Sequence, residues 1–333
     1  MTDVVPRQDL RAPAVYVLQT LTVAACYYAG GRLGLLYELR VNGSVVSPIW
    51  PPTGIAVASL LILGARVWPG ITLGALLVIG HLTSLGPTSL GLLCAHTAAP
   101  LCAYWLLRRA GFRTDLGRLR DCLSLVFLGG FAAMLVSSTI ATGLLVVSGE
   151  LPAGSFWSVW LPWWVGDAMG VLLITPTLLV LPRVRSPAHW SRWKEALGLA
   201  AVAGVVVPFA TQSTGSLLFS VYPLLIWSAL RFELPGSMLC ALFASVLATK
   251  AATQRSGPFA HVSDTQIMVN LHAFNAAAAL TALLLSAVIT EQHNTRRSVE
   301  QACQELAEVL EHLTAGEAVP HGRAQRSEGS GAA

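Results

Sequence analysis

FWSVWLPWWVGDAMGVLLITPTLLVL, residues 156–181, is the stretch of this sequence that decides its fold. It is longer than the roughly 20 apolar residues that a helix needs to cross a bilayer, and Asp167 is its only ionisable side chain. At about 1.5 Å per residue, Asp167 lies roughly 15 Å below Trp157, close to the middle of a membrane. A carboxylate at that depth normally faces a bundle interior or a wet cavity, and marks a ligand, ion or proton site. The stretch therefore predicts a membrane-spanning helix that carries a polar site.

Three tryptophans precede this carboxylate on the same face of the predicted helix. Trp160, Trp163 and Trp164 lie seven, four and three residues before Asp167, which are the spacings of one helix face. Two interpretations fit the cluster. In the first, Asp167 and the deeper Trp163 and Trp164 form a binding site within the bundle. In the second, Asp167 is neutral or hydrogen-bonded to a neighbouring helix, and the tryptophans form an interfacial belt.

Apolar runs of this kind recur along nearly the whole chain. Of its 333 residues, 54% are hydrophobic and 11% are charged, whereas a soluble domain has roughly 25% charged residues. Ten candidate spans follow from these runs: 12–36, 48–64, 67–85, 88–107, 120–148, 156–182, 194–211, 216–230, 235–253 and 267–290. The second and third are short and closely spaced, as in a re-entrant pair or one broken span, and eight is the alternative count. The sequence predicts an all-α, polytopic transmembrane helical bundle of eight to ten spans.

The distribution of basic residues predicts the orientation of these spans. Arg and Lys collect in the connectors 108–120 and 183–194, whereas 149–156 and 212–216 contain none. Since cytoplasmic loops carry the excess of Arg and Lys, the basic connectors are placed inside and both termini in the cytoplasm. The formal net charge of +4 thus reflects topology, and no nucleic-acid partner is indicated. The expected location is the inner, cytoplasmic membrane, with several passes through it.

Motifs of the common enzyme classes are missing from the sequence. There is no Walker P-loop, dinucleotide G-x-G-x-x-G, H-E-x-x-H or G-x-S-x-G sequence. The six cysteines form no C-x-x-C pair and mostly lie in apolar runs, which argues against a zinc site or a disulfide framework. We therefore expect no enzymatic activity, no catalytic residue, no metal and no cofactor.

A second cluster opens the second candidate span. Trp50-Pro51-Pro52-Thr53-Gly54 places two prolines before a helix, where they force extended geometry, and a glycine that permits close approach. One interpretation is a non-helical segment that lines a pocket at membrane depth, and the other is a tight loop at the outer surface. In the sixth span, Gly166 and Gly170 form a small-x-x-x-small pair, which predicts close helix packing.

The sequence after the last span changes to a charged, helical pattern. Val299, Ala302, Leu306, Val309 and Leu313 alternate three- and four-residue spacings, which is the heptad seam of a short coiled coil. The alternatives are a dimer that the membrane domain holds together, or a single amphipathic helix lying along the membrane. The predicted organisation is a cytoplasmic tail at 1–11, a membrane domain at 12–292, this cytoplasmic helix at 293–313 and a disordered tail at 314–333.

Four stretches resemble the MASE1 domain, a bacterial membrane-associated sensor domain. They are WPPTGIAVASLLILGARVWPGITLGALLV, WWVGDAMGVLLITPTLL, YPLLIWSALRF and GPFA, in the order seen in that family, and the resemblance covers about 12–292. The positions that match its motifs are Trp50, Pro51, Pro52, Gly54, Trp68, Pro69, Gly70, Trp164, Gly166, Asp167, Gly170, Pro176, Trp227, Arg231, Gly257, Pro258 and Phe259. The resemblance implies a sensory input module of eight or more helices, usually fused to a kinase, cyclase, phosphodiesterase or phosphatase. No sequence like such an output domain follows residue 290, so the expected output is a separate protein.

The resulting hypothesis is a sensor whose small ligand or ion binds within the helix bundle. The candidate ligand-binding residues are Trp50, Pro51, Pro52, Gly54, Trp163, Trp164, Asp167 and Arg231, and the remaining motif positions are assigned to packing. Tryptophan and aspartate together suit a cationic or a polar, aromatic-stacking ligand. The implied partners are the lipid bilayer, a second copy of the chain, and a separate kinase, cyclase, phosphatase or regulator. The alternatives are a transporter or its substrate-binding subunit, and a truncated remnant of a sensor kinase or cyclase.

Overall fold

A computed structural model of the chain describes residues 11–41, 44–83, 86–184, 193–213 and 217–317. These residues form an all-α bundle, as predicted, with one short antiparallel hairpin. The helices are α1 (Arg11–Leu35), α2 (Pro51–Leu63), α3 (Trp68–Leu82), α4 (Pro87–Arg109), α5 (Leu119–Val147), α6 (Phe156–Val184), α7 (Trp193–Gln212), α8 (Val221–Thr253) and α9 (Asp264–Glu317). The hairpin strands are β1 (Leu39–Val41) and β2 (Ser44–Val46), between α1 and α2.

Seven of the described helical segments are long and apolar enough to cross a membrane. They are Ala65–Leu82, Pro87–Arg109, Leu119–Val147, Ala153–Pro182, Trp193–Gln212, Leu217–Phe259 and Asp264–His312. Helix α1 has a sufficient length of 25 residues but is not among the seven, and α2 is a shorter apolar helix of 13 residues. The chain is therefore a multi-pass membrane protein. Each of the ten predicted spans coincides with one of these helices or with an arm of α8.

Helix α8 folds back on itself at Glu233. The backbone of Glu233 has φ 52° and ψ −144°, which is not helical. Next to this break, Arg231 bonds to Glu195 in the first turn of α7. At the far end of α8, Gly257 packs against the carbonyl of Thr211 in the last turn of α7. The two arms of α8 therefore pack along α7 and run antiparallel to each other. This agrees with the separate spans predicted at 216–230 and 235–253.

The helices pack into two hydrophobic clusters. The smaller joins α1, α2 and α3 through Val23, Tyr27, Ala56, Leu60, Val67, Ile71, Ala75 and Val78. The larger draws on α2 and on α4 to α9. Close approach of α3 to α1 depends on Gly70, because a Cβ there would overlap the carbonyl oxygen of Thr20. Trp68 and Pro69 begin α3, so this motif starts a helix and lets it pack.

The chain separates into two compact units at residues 289 and 290. The first, 1–289, contains the bundle, and the second, 290–333, contains the end of α9. Helix α9 continues to Glu317, beyond the predicted start of the disordered tail at 314. Residues 318–333 and most of the predicted N-terminal tail lie outside the described residues.

Candidate functional site

The carboxylate of Asp167 is buried where three helices meet. Its residue is 1% exposed in the middle of α6. Thr53 of α2 donates a 2.8 Å hydrogen bond to Oδ1, and Ser137 of α5 donates one of 2.5 Å to Oδ2. A buried carboxylate is costly unless hydrogen bonds stabilise it, and here each oxygen has a hydroxyl donor. Asp167 thus links α2, α5 and α6.

The double proline places the start of α2 beside this carboxylate. Trp50 is the last extended residue, with φ −105° and ψ 90°, and prolines occupy the first turn of α2. The backbone N–H of Trp50 donates a 3.0 Å hydrogen bond to the carbonyl of Gly166, so this backbone donor is satisfied by α6. Thr175 in turn donates to the carbonyl of Gly54, and α2 and α6 therefore run parallel. The extended segment lies inside the bundle.

Three glycines make this close approach possible. A Cβ on Gly166 would overlap the carbonyl oxygen of Ser47, and a Cβ on Gly170 would overlap that of Trp50. A Cβ on Gly54 would in turn overlap the carbonyl oxygen of Gly170. The predicted small-x-x-x-small pair therefore packs against an extended segment and the start of a helix.

A cavity of about 700 Å³ lies next to this junction, within the usual range for small-molecule sites. It is lined by Tyr27, Leu35, Val46, Ser47, Trp50, Ala75, Val78, Ile79, Leu82, Thr83, Gly86, Thr88, Ser89, Leu92, His96, Leu145, Glu150 and Trp163. Leu35, Leu82, Gly86 and Glu150 lie where helices end or begin, so the mouth is at the end of the bundle that carries the hairpin. The positive-inside rule predicts that this end faces outward.

The floor of the cavity is aromatic. The His96 ring is close to two tryptophans, with centroid distances of 6.4 Å to Trp50 and 6.5 Å to Trp163. Tyr27 is buried beside Trp50. Asp167 does not line the cavity but is within electrostatic reach of both His96 and Tyr27. The floor is therefore made of aromatic rings, and a carboxylate that is outside the cavity lining lies near them.

Trp163 and Trp164 are neighbours in α6, but their side chains make different contacts. Trp163 lines the cavity, whereas Trp164 donates a 2.9 Å hydrogen bond from Nε1 to the carbonyl of Phe131 in α5. Trp164 also stacks on Trp160 at 5.6 Å, and Trp160 donates to the hydroxyl of Thr139. Trp160 and Trp164 thus fasten α6 to α5.

The structure places the other candidate residues outside the cavity lining. Pro51, Pro52 and Gly54 shape the start of α2 behind Trp50. Arg231 forms hydrogen bonds of 3.1 and 2.6 Å with the carboxylate of Glu195, beside the reversal of α8. This pair lies near the end of the bundle opposite the mouth. Arg231 is therefore not brought together with Asp167 and Trp163.

The remaining motif positions occupy turns and packing contacts. Gly257 has φ 58° and lies against the carbonyl of Thr211, and Phe259 after Pro258 is 1% exposed. Together they form the turn that closes the second arm of α8 against α7. Pro176 lies within α6.

The prediction missed several residues of the site. His96 lies in the predicted span 88–107, and an ionisable side chain within a membrane span is itself an indication of a functional site. Thr53 stands within the double-proline motif, but Tyr27, Ser137 and Glu150 have no distinguishing pattern. Their proximity depends on tertiary register, which one sequence does not reveal.

Among the described residues, no group of three His, Cys, Asp or Glu side chains gathers to hold a metal ion. In comparisons with known proteins, the model of one family, MASE1, matches residues 19–293. No curated protein and no solved structure matches the chain. The matched region includes every residue of the cavity lining given above.

Proposed function

The chain belongs to the MASE1 family of membrane-associated sensory domains, and from this premise we propose that the cavity is the ligand site of a signal-input protein. The observation that carries the proposal is the aromatic floor formed by Trp50, His96 and Trp163 in front of the buried Asp167. A concave, mostly apolar cavity with a few convergent polar groups is the usual form of a small-molecule site.

The contacts of Trp50 allow a ligand in the cavity to change how α2 packs against α6. Trp50 precedes the first turn of α2, and Thr53 in that turn bonds to Asp167. A ligand that displaces the Trp50 ring therefore strains the junction of α2 with α6. A ligand favours one packing only if it binds that packing more tightly, and reversing a 1:99 population to 99:1 takes about a 10⁴-fold difference in affinity.

The output, in this proposal, is a separate cytoplasmic protein such as a kinase, cyclase, phosphatase or regulator. The segment 293–313 offers a surface for it, or for a second copy of the chain. Val299, Leu306 and Val309 are 58%, 64% and 54% exposed on this segment. Apolar side chains that repeat at heptad spacing and remain exposed are typical of a helix that pairs with a partner.

A ligand screen on the full chain in lipid nanodiscs tests the site. Compounds are ranked by the shift that they cause in the melting temperature, and hits are repeated on Trp163→Ala. Because Trp163 forms one side of the cavity floor, we expect the variant to lose most of the shift.

Trp157→Ala is the matched control, since Trp157 lies on the same helix, is 70% exposed and does not line the cavity. It should keep the full ligand-dependent shift. Hits that stabilise Trp163→Ala as well as the unmodified chain would place ligand binding elsewhere and refute the proposal.

A transporter remains the second candidate because α2 begins inside the bundle beside a buried carboxylate, an arrangement also used by carriers. Uptake of a hit into proteoliposomes separates the two functions. Accumulation against a gradient would favour transport, whereas binding without uptake is expected of a sensor.

A further inference from the structure

The charge around the cavity points to the class of its ligand, and this inference rests on the function proposed above. Among the described residues that line the cavity, Glu150 at the mouth is the one acidic side chain, and none is Arg or Lys. Asp167 adds a second carboxylate behind the floor. Arg32 is hydrogen-bonded to His81 and does not line the cavity. The cavity therefore attracts cations and repels anions.

The floor and the walls restrict the kind of cation. Trp50 and Trp163 both line the cavity next to His96, and tryptophan is the aromatic residue whose ring face attracts cations most strongly. The walls are apolar, with Leu35, Val78, Ile79, Leu82, Leu92 and Leu145. The described lining also contains the hydroxyls of Tyr27, Ser47, Thr83, Thr88 and Ser89, but Glu150 is its one carboxylate, whereas an ion such as Ca²⁺ usually takes six or more oxygen ligands. An organic cation with apolar substituents fits both surfaces.

Asp167 already has hydrogen bonds from Thr53 and Ser137. Both of its oxygens therefore have partners, and because Asp167 does not line the cavity it offers a ligand no direct salt bridge. A ligand consequently needs no N–H donor. We propose that the cavity binds an amphiphilic organic monocation of the quaternary ammonium type, with the positive charge against the faces of Trp50 and Trp163.

Three probes of similar size and different charge test the class. They are benzyltrimethylammonium, its neutral carbon isostere neopentylbenzene, and the anion benzenesulfonate. Each is titrated against the full chain in nanodiscs, and binding is followed by the melting temperature and by quenching of tryptophan fluorescence. We expect saturable binding of the ammonium only. Trp163→Ala should weaken it at least tenfold, Trp163→Phe less, and Trp157→Ala should leave it unchanged.

The role of the negative charge is tested with Glu150→Gln and Asp167→Asn. Each should weaken ammonium binding about three- to tenfold, because the loss of one unit charge near the cavity, in a medium of intermediate dielectric, has an effect of that order. Glu150 lies at the mouth and its replacement leaves the bundle core intact, so this variant reports on charge even if Asp167→Asn folds poorly.

The outcomes separate this inference from the proposed function. Equal binding of neopentylbenzene and benzyltrimethylammonium, or no binding of the ammonium, overturns the cation class. If another compound from the screen still requires Trp163, the cavity stays a ligand site of a different class. If no compound requires Trp163, both proposals fail.

Discussion

Thr53 Oγ1 donates a 2.8 Å hydrogen bond to Asp167 Oδ1 across 114 residues of sequence. The bond joins the first turn of α2 to the middle of α6, four residues after Trp163, which forms part of the cavity floor. With the second bond from Ser137, it makes the buried carboxylate a junction of three helices. The stability of the bundle and the response to a ligand should therefore depend on the same few atoms.

Removing either hydroxyl donor tests this junction. Thr53→Val and Ser137→Ala should each lower the free energy of unfolding by about 1–3 kcal/mol, because one oxygen of a buried carboxylate loses its donor. Thr22→Val is the control, since the exposed Thr22 hydroxyl bonds only to the carbonyl of Leu18 one turn earlier. Unfolding in mixed micelles measures all three. Equal effects of all three substitutions would contradict the special role of Asp167.

Two substitutions of Asp167 separate its charge from its shape. Asp167→Asn preserves volume and can still accept one hydroxyl and donate to another, so the chain should fold but respond weakly to ligands of the cavity. Asp167→Leu leaves both hydroxyls without their partner and should destabilise the bundle by about 2–4 kcal/mol. Melting temperatures measured with and without ligand report both the stability of each variant and its response to the ligand. An unchanged response of Asp167→Asn to every ligand would remove the proposed role of the carboxylate.

A glycine pair tests the close approach of α2 to α6. In Gly170→Ala the added Cβ overlaps the carbonyl oxygen of Trp50, which is backbone and cannot rotate away. We expect a loss of about 1–3 kcal/mol or failure to fold. Gly143→Ala is the control within α5, because a Cβ there meets no atom within 4 Å. That variant should change the unfolding free energy by less than about 1 kcal/mol.

The sequence predicts the features of this fold that depend on local chemistry. Asp167 stands out because a carboxylate is costly inside a membrane, and the break in α8 falls between the two predicted runs. The partners of Asp167 are not predictable in this way, since Thr53 and Ser137 resemble any other hydroxyl in an apolar helix. Helical spacing likewise groups Trp163 with Trp164, although small differences in angle direct one to the cavity and the other to α5.

The orientation of the bundle remains a prediction from the basic connectors. In a cysteine-free background, Glu150→Cys at the cavity mouth should react in intact cells with a maleimide that does not cross membranes. Arg113→Cys, in the basic connector at the other end, should react only after the membrane is permeabilised. The cysteine-free background is needed because Cys26, Cys94 and Cys303 are exposed. The reverse labelling pattern would invert the topology.

The seam of the segment 293–313 distinguishes a coiled coil from a helix that lies on the membrane. In a parallel dimer, residues at position 302 of the two copies face each other, whereas those at 304 point away. Ala302→Cys in the cysteine-free chain should therefore form an intermolecular disulfide under mild oxidation, and Gln304→Cys should not.

Leu306 supplies the second half of this test because it is a seam residue that is 64% exposed in the single chain. Adding Leu306→Asp to the Ala302→Cys chain should abolish the crosslink, since a charge in the seam disrupts pairing of both copies. Adding Gln304→Asp, on the opposite face, should leave it intact. If position 302 does not crosslink, or crosslinks as weakly as position 304, the segment is not a dimer seam, and its apolar face is left for the membrane or for a different protein.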